Sequence, residues 1–276
     1  AGTVVTTTTR GAWSAYAYQT NGASAQGSWL SSVSEFYLGF GFNHVGTGGF
    51  LYLTSQNGGA GGVNIQLDIT AGHAICWRLG FNGTIIDTGT TVLSTGVWYF
   101  IELHAVIHDT TGSIEVKING VSEFNHTNTD TRADAAANGN LVNQIKIGPI
   151  STSYYDDLYV NDTSGAQNTG YSGDTRWSAY IPNATGDNTG LTRGGSDSGT
   201  NWGQVDERPP NDATDYVFGT GTTVYDLYNI PNTSAVATVQ SVTLWLRAQK
   251  SDAGAKNIAT VIKSGATPTE TVGSDV

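Results

Sequence analysis

The run Val97-Trp-Tyr-Phe-Ile-Glu-Leu-His-Ala-Val-Ile-His108 is the longest strand-forming stretch of the chain. A turn, Asp109-Thr-Thr-Gly112, leads into Ser113-Ile-Glu-Val-Lys-Ile-Asn119, where apolar and charged residues alternate. Such alternation is typical of a strand with one face in a core and the other in solvent. Asn119-Gly120 favours a type I′ hairpin turn, because both central residues of that turn need a positive φ. This stretch therefore predicts antiparallel β-structure.

The same signals recur on both sides of this hairpin, while helical periodicity is almost absent. Val63–Ile69 alternates apolar residues with Asn, Gln and Asp, which predicts a half-buried strand with a wet second face. Strands this frequent, without helices between them, predict an all-β chain that begins with an antiparallel jelly-roll sandwich. The other strands expected in this part are Phe36–Phe42, Phe50–Thr54, Ala74–Leu79, Val142–Ile147 and Tyr154–Val160.

A polar, Gly-rich stretch at residues 161–175 is suited to a linker. We therefore expect a first domain at 1–162, a linker at 163–176 and a second, smaller β-sandwich domain at 177–276. The strands expected in the second domain are Tyr216–Phe218, Thr223–Tyr228, Val236–Ala248 and Asn257–Lys263. The pattern stops in the middle at Val276, so we expect this domain to be truncated or to be completed by another chain.

Composition excludes several classes of function. The chain has 276 residues, 13% of them charged, and a formal net charge of −11. Neither half of the chain has an excess of basic residues, which argues against nucleic acid or an anionic membrane surface as a partner. No apolar run approaches the ~20 residues that span a bilayer, so no membrane insertion is expected.

The single Cys76 excludes an internal disulfide, and its apolar neighbours predict a buried thiol.

The segment 96–120, followed by Tyr154-Tyr-Asp-Asp-Leu-Tyr-Val160, resembles the concanavalin A-like, laminin-G-like jelly roll. The continuation, with Val160-Asn-Asp-Thr-Ser-Gly165, Gly173-Asp-Thr-Arg176 and Val205-Asp-Glu207, resembles a two-domain arrangement of tailed-phage and prophage virion proteins. This resemblance implies a structural protein of a tail, a fibre or a capsid decoration, located on the surface of the extracellular particle.

The partners that the resemblance implies are other virion proteins, copies of this chain and cell-surface glycans. The alternative is a carbohydrate-binding module or adhesin of a secreted bacterial protein. An exposed aromatic strip and measurable affinity for sugars would favour that alternative.

Aromatic side chains are the candidate ligand-binding residues, because a flat ring stacks on the C–H face of a sugar. We expect Trp13, Trp29, Tyr154 and Tyr155 in this role, with Tyr52 as a further candidate. Packing in the core or at an interface is the alternative for each ring.

Asp156, Asp157 and Asp130 are the candidate metal ligands. Because adjacent residues of a strand point to opposite faces, Asp156 and Asp157 are not expected to form a side-by-side pair. Structural hydrogen bonding is one role for them. A Ca²⁺ at the rim of the sandwich, which related lectin-like folds often hold, is the other. No cofactor is expected to be required.

Catalytic motifs are missing from the sequence. Glycoside hydrolases on this fold carry two Glu residues four or five positions apart around an Asp, and no such pair exists here. The sequence also contains no G-x-S-x-G, H-E-x-x-H or phosphate-binding loop motif. We therefore predict a protein that is not an enzyme. A cleft with two carboxyl groups about 5–10 Å apart would revive a hydrolase.

Overall fold

The chain forms two separate units, Ala1–Ser178 and Ala179–Val276. The computed structural model describes residues 2–6, 10, 17–22, 24–55, 62–133, 141–148, 150, 152–196, 199–207, 210–211, 214–221, 223–232, 238–251, 253–264 and 269–273, without the side chains of 28–31 and 269. The described residues contain no helix with the length and apolarity of a membrane span.

Unit 1 is an antiparallel jelly-roll sandwich, which confirms the predicted fold class. A seven-stranded sheet has the order β1-β2-β13-β4-β9-β10-β11, and a six-stranded sheet has the order β3-β12-β5-β6-β7-β8. The strands are β1 (Thr3–Val5), β2 (Ala17–Thr20), β3 (Ala25–Val33), β4 (Glu35–Asn43), β5 (Gly48–Thr54), β6 (Val63–Ile69), β7 (Ile75–Leu79), β8 (Ile85–Thr88), β9 (Trp98–Val106), β10 (Gly112–Ile118), β11 (Val121–Thr129), β12 (Val142–Ile147) and β13 (Ser153–Asp162).

The core lies between the two sheets and follows from the alternation in β4 and β9. The even-numbered apolar residues of β4 from Phe36 to Phe42 are buried, and they pair with β9 residues from Ala105 to Tyr99. Trp77 enters the same core from the six-stranded sheet. Fully burying a side chain of this size contributes about 1.5–3 kcal/mol.

The second face of β6 is not exposed to solvent, so the prediction of a half-buried strand is wrong. Asn64, Gln66 and Asp68 are buried together with the apolar residues of the strand. The turn Gly80–Gly83 folds back over them and forms hydrogen bonds with Gln66. Alternation in sequence shows which residues share a face, but it does not show whether a loop covers that face.

Residues 170–177, which we name the strap, fall within the predicted linker and at its end, but they are bonded to unit 1. The Tyr171 hydroxyl donates to Glu115 (3.0 Å), and the Gly173 N–H donates to Glu102 (3.0 Å). The Trp177 N–H donates to Asp157 (2.8 Å). These bonds hold the strap against the outer face of the seven-stranded sheet.

Unit 2 is built from two-stranded antiparallel ladders in its described residues. They pair β14 (Ala184–Thr189) with β17 (Asp226–Asn229), β15 (Thr192–Gly195) with β16 (Asp215–Phe218), and β18 (Val261–Ser264) with β19 (Thr269–Val272). A 3₁₀ turn at Asn201–Gln204 links two of the ladders. The amide of Asn201 donates to Asp226 and to the Leu191 carbonyl, both at 2.8 Å.

The strand expected at Val236–Ala248 is not present in the described residues 238–248. Trp245 is 94% exposed, and Val242, Leu244 and Leu246 are also exposed. Strand formation requires a partner for the backbone N–H and C=O groups. The described residues supply no paired strand for this run, so the alternation produces no ladder.

Gly39 tests how tightly the outer face of the seven-stranded sheet is packed. A Cβ at this position would overlap the ring of Tyr159, which a 2.7 Å hydrogen bond to Glu102 holds in place. We expect Gly39→Ala to lower the free energy of unfolding, measured by urea denaturation, by about 2 kcal/mol. Gly27→Ala is the control, because its added Cβ has no atom within 4 Å. Equal losses in the two variants would contradict this packing.

Candidate functional site

The outer side chains of the six-stranded sheet form a polar row that crosses five strands. Strand pairing aligns Gln26, Lys146, Tyr52, Gln66 and Arg78, in that order, on β3, β12, β5, β6 and β7. Neighbouring strands lie about 4.8 Å apart, so the backbones of Lys146 and Arg78 are about 14 Å apart. We call this row, together with Asp68 and the turn Gly80–Gly83, the polar face.

Charge-assisted hydrogen bonds fix the centre of the polar face. The Asp68 carboxylate accepts from the amide of Gln66 (2.6 Å) and from Nε of Arg78 (2.6 Å). Arg78 also donates to the Gly83 carbonyl (2.8 Å). Bonds of this kind are stronger than neutral ones. The side chains at the centre of the face are therefore held in a single arrangement.

The turn after β7 presents an aromatic ring beside this network. Asn82 has a φ of +50°, and its N–H donates to Oε1 of Gln66 (2.8 Å) while its side chain accepts from Nε2 (3.3 Å). This double contact fixes the position of Phe81, which is 44% exposed. The Phe81 ring lies 6.0 Å from the ring of Tyr52.

Tyr52 forms a buried floor beneath these groups. It is 5% exposed, and its hydroxyl lies over Gly49, where any Cβ would overlap it. Burial, and then the Asp68 carboxylate, raise the pKa of Tyr52 to about 12. Tyr52 therefore stays protonated at neutral pH and is not a ready base.

An unpartnered acceptor lies on the same side of β6. The amide nitrogen of Asn64 donates to the Leu141 carbonyl (3.3 Å), while its Oδ1 is buried and has no hydrogen-bond partner among the described residues. Buried acceptors usually have a partner in proteins, so this oxygen has the capacity to accept from a water or a ligand hydroxyl. The polar face thus combines an exposed ring with fixed donors and acceptors, as ligand sites commonly do.

The predicted aromatic residues do not form one platform. Tyr155 is 4% exposed and packs against Phe40 and Phe42, with its hydroxyl donating to the Phe50 carbonyl (3.0 Å). Its ring faces the core, so its predicted role in ligand binding is wrong.

Tyr154 points the other way, onto the outer face of the seven-stranded sheet. It is half-buried there and accepts a hydrogen bond from Gln19 (3.3 Å). Trp13 lies outside the described residues, and Trp29 is in β3 with a side chain outside them. The roles predicted for Tyr154, Trp13 and Trp29 stay predictions.

The expectation that Asp156 and Asp157 point to opposite faces is wrong, because a β-bulge interrupts the alternation of β13. Asp157 has a φ of +55° and contacts Arg10 (3.2 Å), which packs on the outer face over Gly41 and Phe100. Burial, acting first, raises the pKa of Asp157, and the neighbouring Asp156 adds to the rise. The extra residue of the bulge turns both carboxylates to one side of the sheet.

Protein donors already engage Asp157 and Asp130, while Oδ2 of Asp156 is buried without a hydrogen-bond partner among the described residues, so the calcium site stays a prediction. Asp157 already uses one oxygen for the Trp177 N–H and the other for Arg10, while Asp130 accepts from the Arg132 N–H (2.9 Å). No group of three or more His, Cys, Asp or Glu side chains capable of holding a metal occurs in the described part of the chain. A guanidinium therefore occupies the position next to Asp157 where a cation would bind.

Two glutamates meet on the outer face of the seven-stranded sheet, although they are far apart in sequence. Glu102 and Glu115 are diagonal neighbours on β9 and β10, a relation that places their backbones about 7–8 Å apart. Glu102 is buried and accepts from Tyr159 and Gly173, while Glu115 accepts from Tyr171. The strap thus engages both carboxylates.

Sequence reasoning missed the polar face, because Gln66 and Asp68 were assigned to solvent. The signal that could have found it is Gly80-Phe-Asn-Gly83, an aromatic residue between turn residues. A ring in such a turn is placed at the surface rather than in the core.

Comparisons with known proteins give architecture alone. No protein-family model matches the chain, and no curated protein is significantly similar in sequence. Solved structures do resemble it, including the following three. An endo-β-1,4-glucuronan lyase from the fungus Trichoderma reesei is 14% identical, with a TM-score of 0.46, and the match covers 58% of this chain and 86% of that one. The carbohydrate-binding module CBM66 from Bacillus subtilis is 11% identical, with a TM-score of 0.40 and coverages of 59% and 92%. A tetrameric galectin from Cinachyrella sp., a ball sponge, is 12% identical, with a TM-score of 0.35 and coverages of 50% and 98%.

These scores and identities are too low to carry over a ligand or an activity. The resemblance to virion proteins has no counterpart among the three structures.

The pKa of Tyr52 gives a test of the polar face. An unperturbed tyrosine has a pKa of about 10, so the unfolded chain loses this proton first as the pH rises. The stability that the protonated phenol contributes is complete below pH 10 and is lost between pH 10 and about 12. We expect Tyr52→Phe to make the alkaline fall in the free energy of unfolding shallower.

The ultraviolet titration difference between wild type and Tyr52→Phe reports the pKa of Tyr52 directly. Its midpoint should lie near 12. A midpoint near the ordinary value of about 10 would show that the phenol is exposed and that the polar face is open.

Proposed function

We propose that the chain is a non-catalytic glycan-binding module that adheres through the polar face of unit 1. The observation that carries the proposal is the exposed Phe81 ring beside a fixed network of Gln66, Asp68 and Arg78. The C–H face of a sugar stacks on such a ring, while its hydroxyls pair with the polar groups of the face that stay at least partly exposed, Gln26 and Arg78.

Other surfaces of unit 1 support this role less well. The strap covers the seven-stranded sheet around Glu102 and Glu115. A cavity of about 260 Å³ at the edge of the sandwich is lined by Asn161 and Asp162, among others. The Asn161 amide nitrogen is committed to Gly170 and Ser172, and Asp162 Oδ1 to Ser164. The polar face has an exposed ring, and its donors Gln26, Arg78 and Lys146 are at least partly exposed, which makes it the better glycan surface.

A structural role in a phage particle is the second candidate function. The observation that favours a role in an assembly is the exposed apolar run of unit 2, from Val239 to Leu246 and including Trp245. Apolar runs of this kind are usually covered by another protein surface. A mass-spectrometric inventory of purified phage particles tests this role, and particles that lack the chain would exclude it. Glycan adhesion through unit 1 is compatible with either setting.

Phe81 is the residue that tests glycan binding. We expect Phe81→Ala to weaken the binding of the best ligand on a glycan array at least tenfold, because the stacking face is lost. Thermal unfolding should change little, because the ring is 44% exposed.

The matched control is Phe218→Ala, which removes a ring of similar exposure (41%) from unit 2. This variant should bind glycans as the wild type does. An array without any bound glycan, or equal losses in the two variants, would exclude the polar face as the binding surface.

A further inference from the structure

Lys146 differs from the other basic residues of unit 1. Unit 1 contains six basic residues, and all of them are described. Lys146 has no carboxylate within 4 Å among the described residues, whereas each of the other five does. Those five pairs are Arg10–Asp157, Arg78–Asp68, Lys117–Glu115, Arg132–Asp109 and Arg176–Asp174.

The position of Lys146 on the polar face is fixed by strand pairing. It lies opposite Tyr52 on the neighbouring strand, and its Nζ is 5.7 Å from the centre of the Tyr52 ring. The aliphatic stem of a lysine covers such a surface while the ammonium group stays hydrated. Lys146 is half-buried, and its ammonium group lies near the Tyr52 ring, which the exposed Phe81 ring approaches to 6.0 Å between centres.

Charge on the polar face opposes the charge of the unit. Unit 1 has thirteen acidic and six basic residues. The polar face has two cations, Lys146 and Arg78, and one anion, Asp68. The anion is already paired with Arg78 at 2.6 Å. The ammonium group of Lys146 is therefore a positive charge without an anionic partner in the described part of an otherwise negative unit.

We propose that the ligand of the polar face is an acidic glycan, whose carboxylate or sulfate group pairs with Lys146 while a sugar ring stacks on Phe81. This inference rests on the proposed function. It names the chemical class of the glycan, because a neutral sugar would leave the ammonium group unpaired. An ammonium–carboxylate or ammonium–sulfate contact is a charge-assisted hydrogen bond, which is stronger than one to a hydroxyl.

Two pairs of polymers test the class of glycan. Polygalacturonate is compared with its methyl ester, and dextran sulfate with dextran, by isothermal titration calorimetry with the full chain. We expect at least one acidic member to bind. Its neutral counterpart should bind at least tenfold more weakly. Whether polygalacturonate or dextran sulfate binds identifies the group as carboxylate or sulfate. Equal binding of both members of each pair would overturn the acidic preference and leave glycan binding itself intact.

Lys146→Gln tests the residue, with Lys117→Gln as the matched control. Both variants remove one positive charge, but Lys117 lies on the other sheet, beside Glu115 and Tyr171. We expect Lys146→Gln to weaken acidic-glycan binding about tenfold, Lys146→Arg to retain it, and Lys117→Gln to leave it unchanged. Equal losses in the two Gln variants would show that overall charge determines binding and would overturn the assignment of Lys146. Failure of every glycan to bind the wild type would overturn the proposed function as well.

Discussion

The hydrogen bonds between Gln66 and Asn82 are the contacts on which the arrangement of the candidate site depends. They join a strand in the middle of the six-stranded sheet to the turn that follows the next strand. The turn is thereby held over the polar side of β6, where it covers the Asp68 carboxylate and presents Phe81 outward. Without this contact, the amides of β6 would face water and the ring would have no fixed position. A buried amide that loses its partner costs about 1–3 kcal/mol, so the closed turn also stabilises the sheet.

The two sheets of unit 1 use their outer faces differently. On the seven-stranded sheet, Glu102 and Glu115 bind the strap, so residues after the last strand of the sandwich seal that face. On the six-stranded sheet, the polar groups bind one another and a short turn, and none of the described carboxylates pairs with Lys146. Carboxylates that the strap already engages have little capacity left for a ligand. A face with a fixed ring and a cation without a nearby carboxylate can bind one, and this difference favours the six-stranded sheet as the surface for the proposed function.

The architecture of unit 1 was predictable from sequence, because alternation and turn residues act locally. Ile114, Val116 and Ile118 are buried as their spacing indicates, and Asn119 and Gly120 both have a positive φ. The site was harder to predict, because it depends on what covers a strand. The pattern of β6 correctly places Gln66 and Asp68 on one side, but the turn that buries them is more than ten residues away. Likewise, the bulge that redirects Asp157 depends on how β13 pairs with β4. The sequence of β13 alone does not indicate it.

Electrostatics explains how one lysine can determine selectivity on an acidic protein. The long-range field of a chain with a net charge of −11 repels a polyanion, so a glycan acid gains nothing from approach alone. At physiological ionic strength, however, charges more than about 8 Å apart are largely screened. A contact with Lys146 is therefore governed by the few groups nearest to it, and the Asp68 charge is neutralised by Arg78.

Repulsion at a distance slows the encounter with any acidic polymer, whereas the local pair lengthens the lifetime of a complex that also stacks on Phe81. Selectivity should then arise in the dissociation rate, because the contacts that distinguish an acidic sugar from a neutral one form only in the bound state.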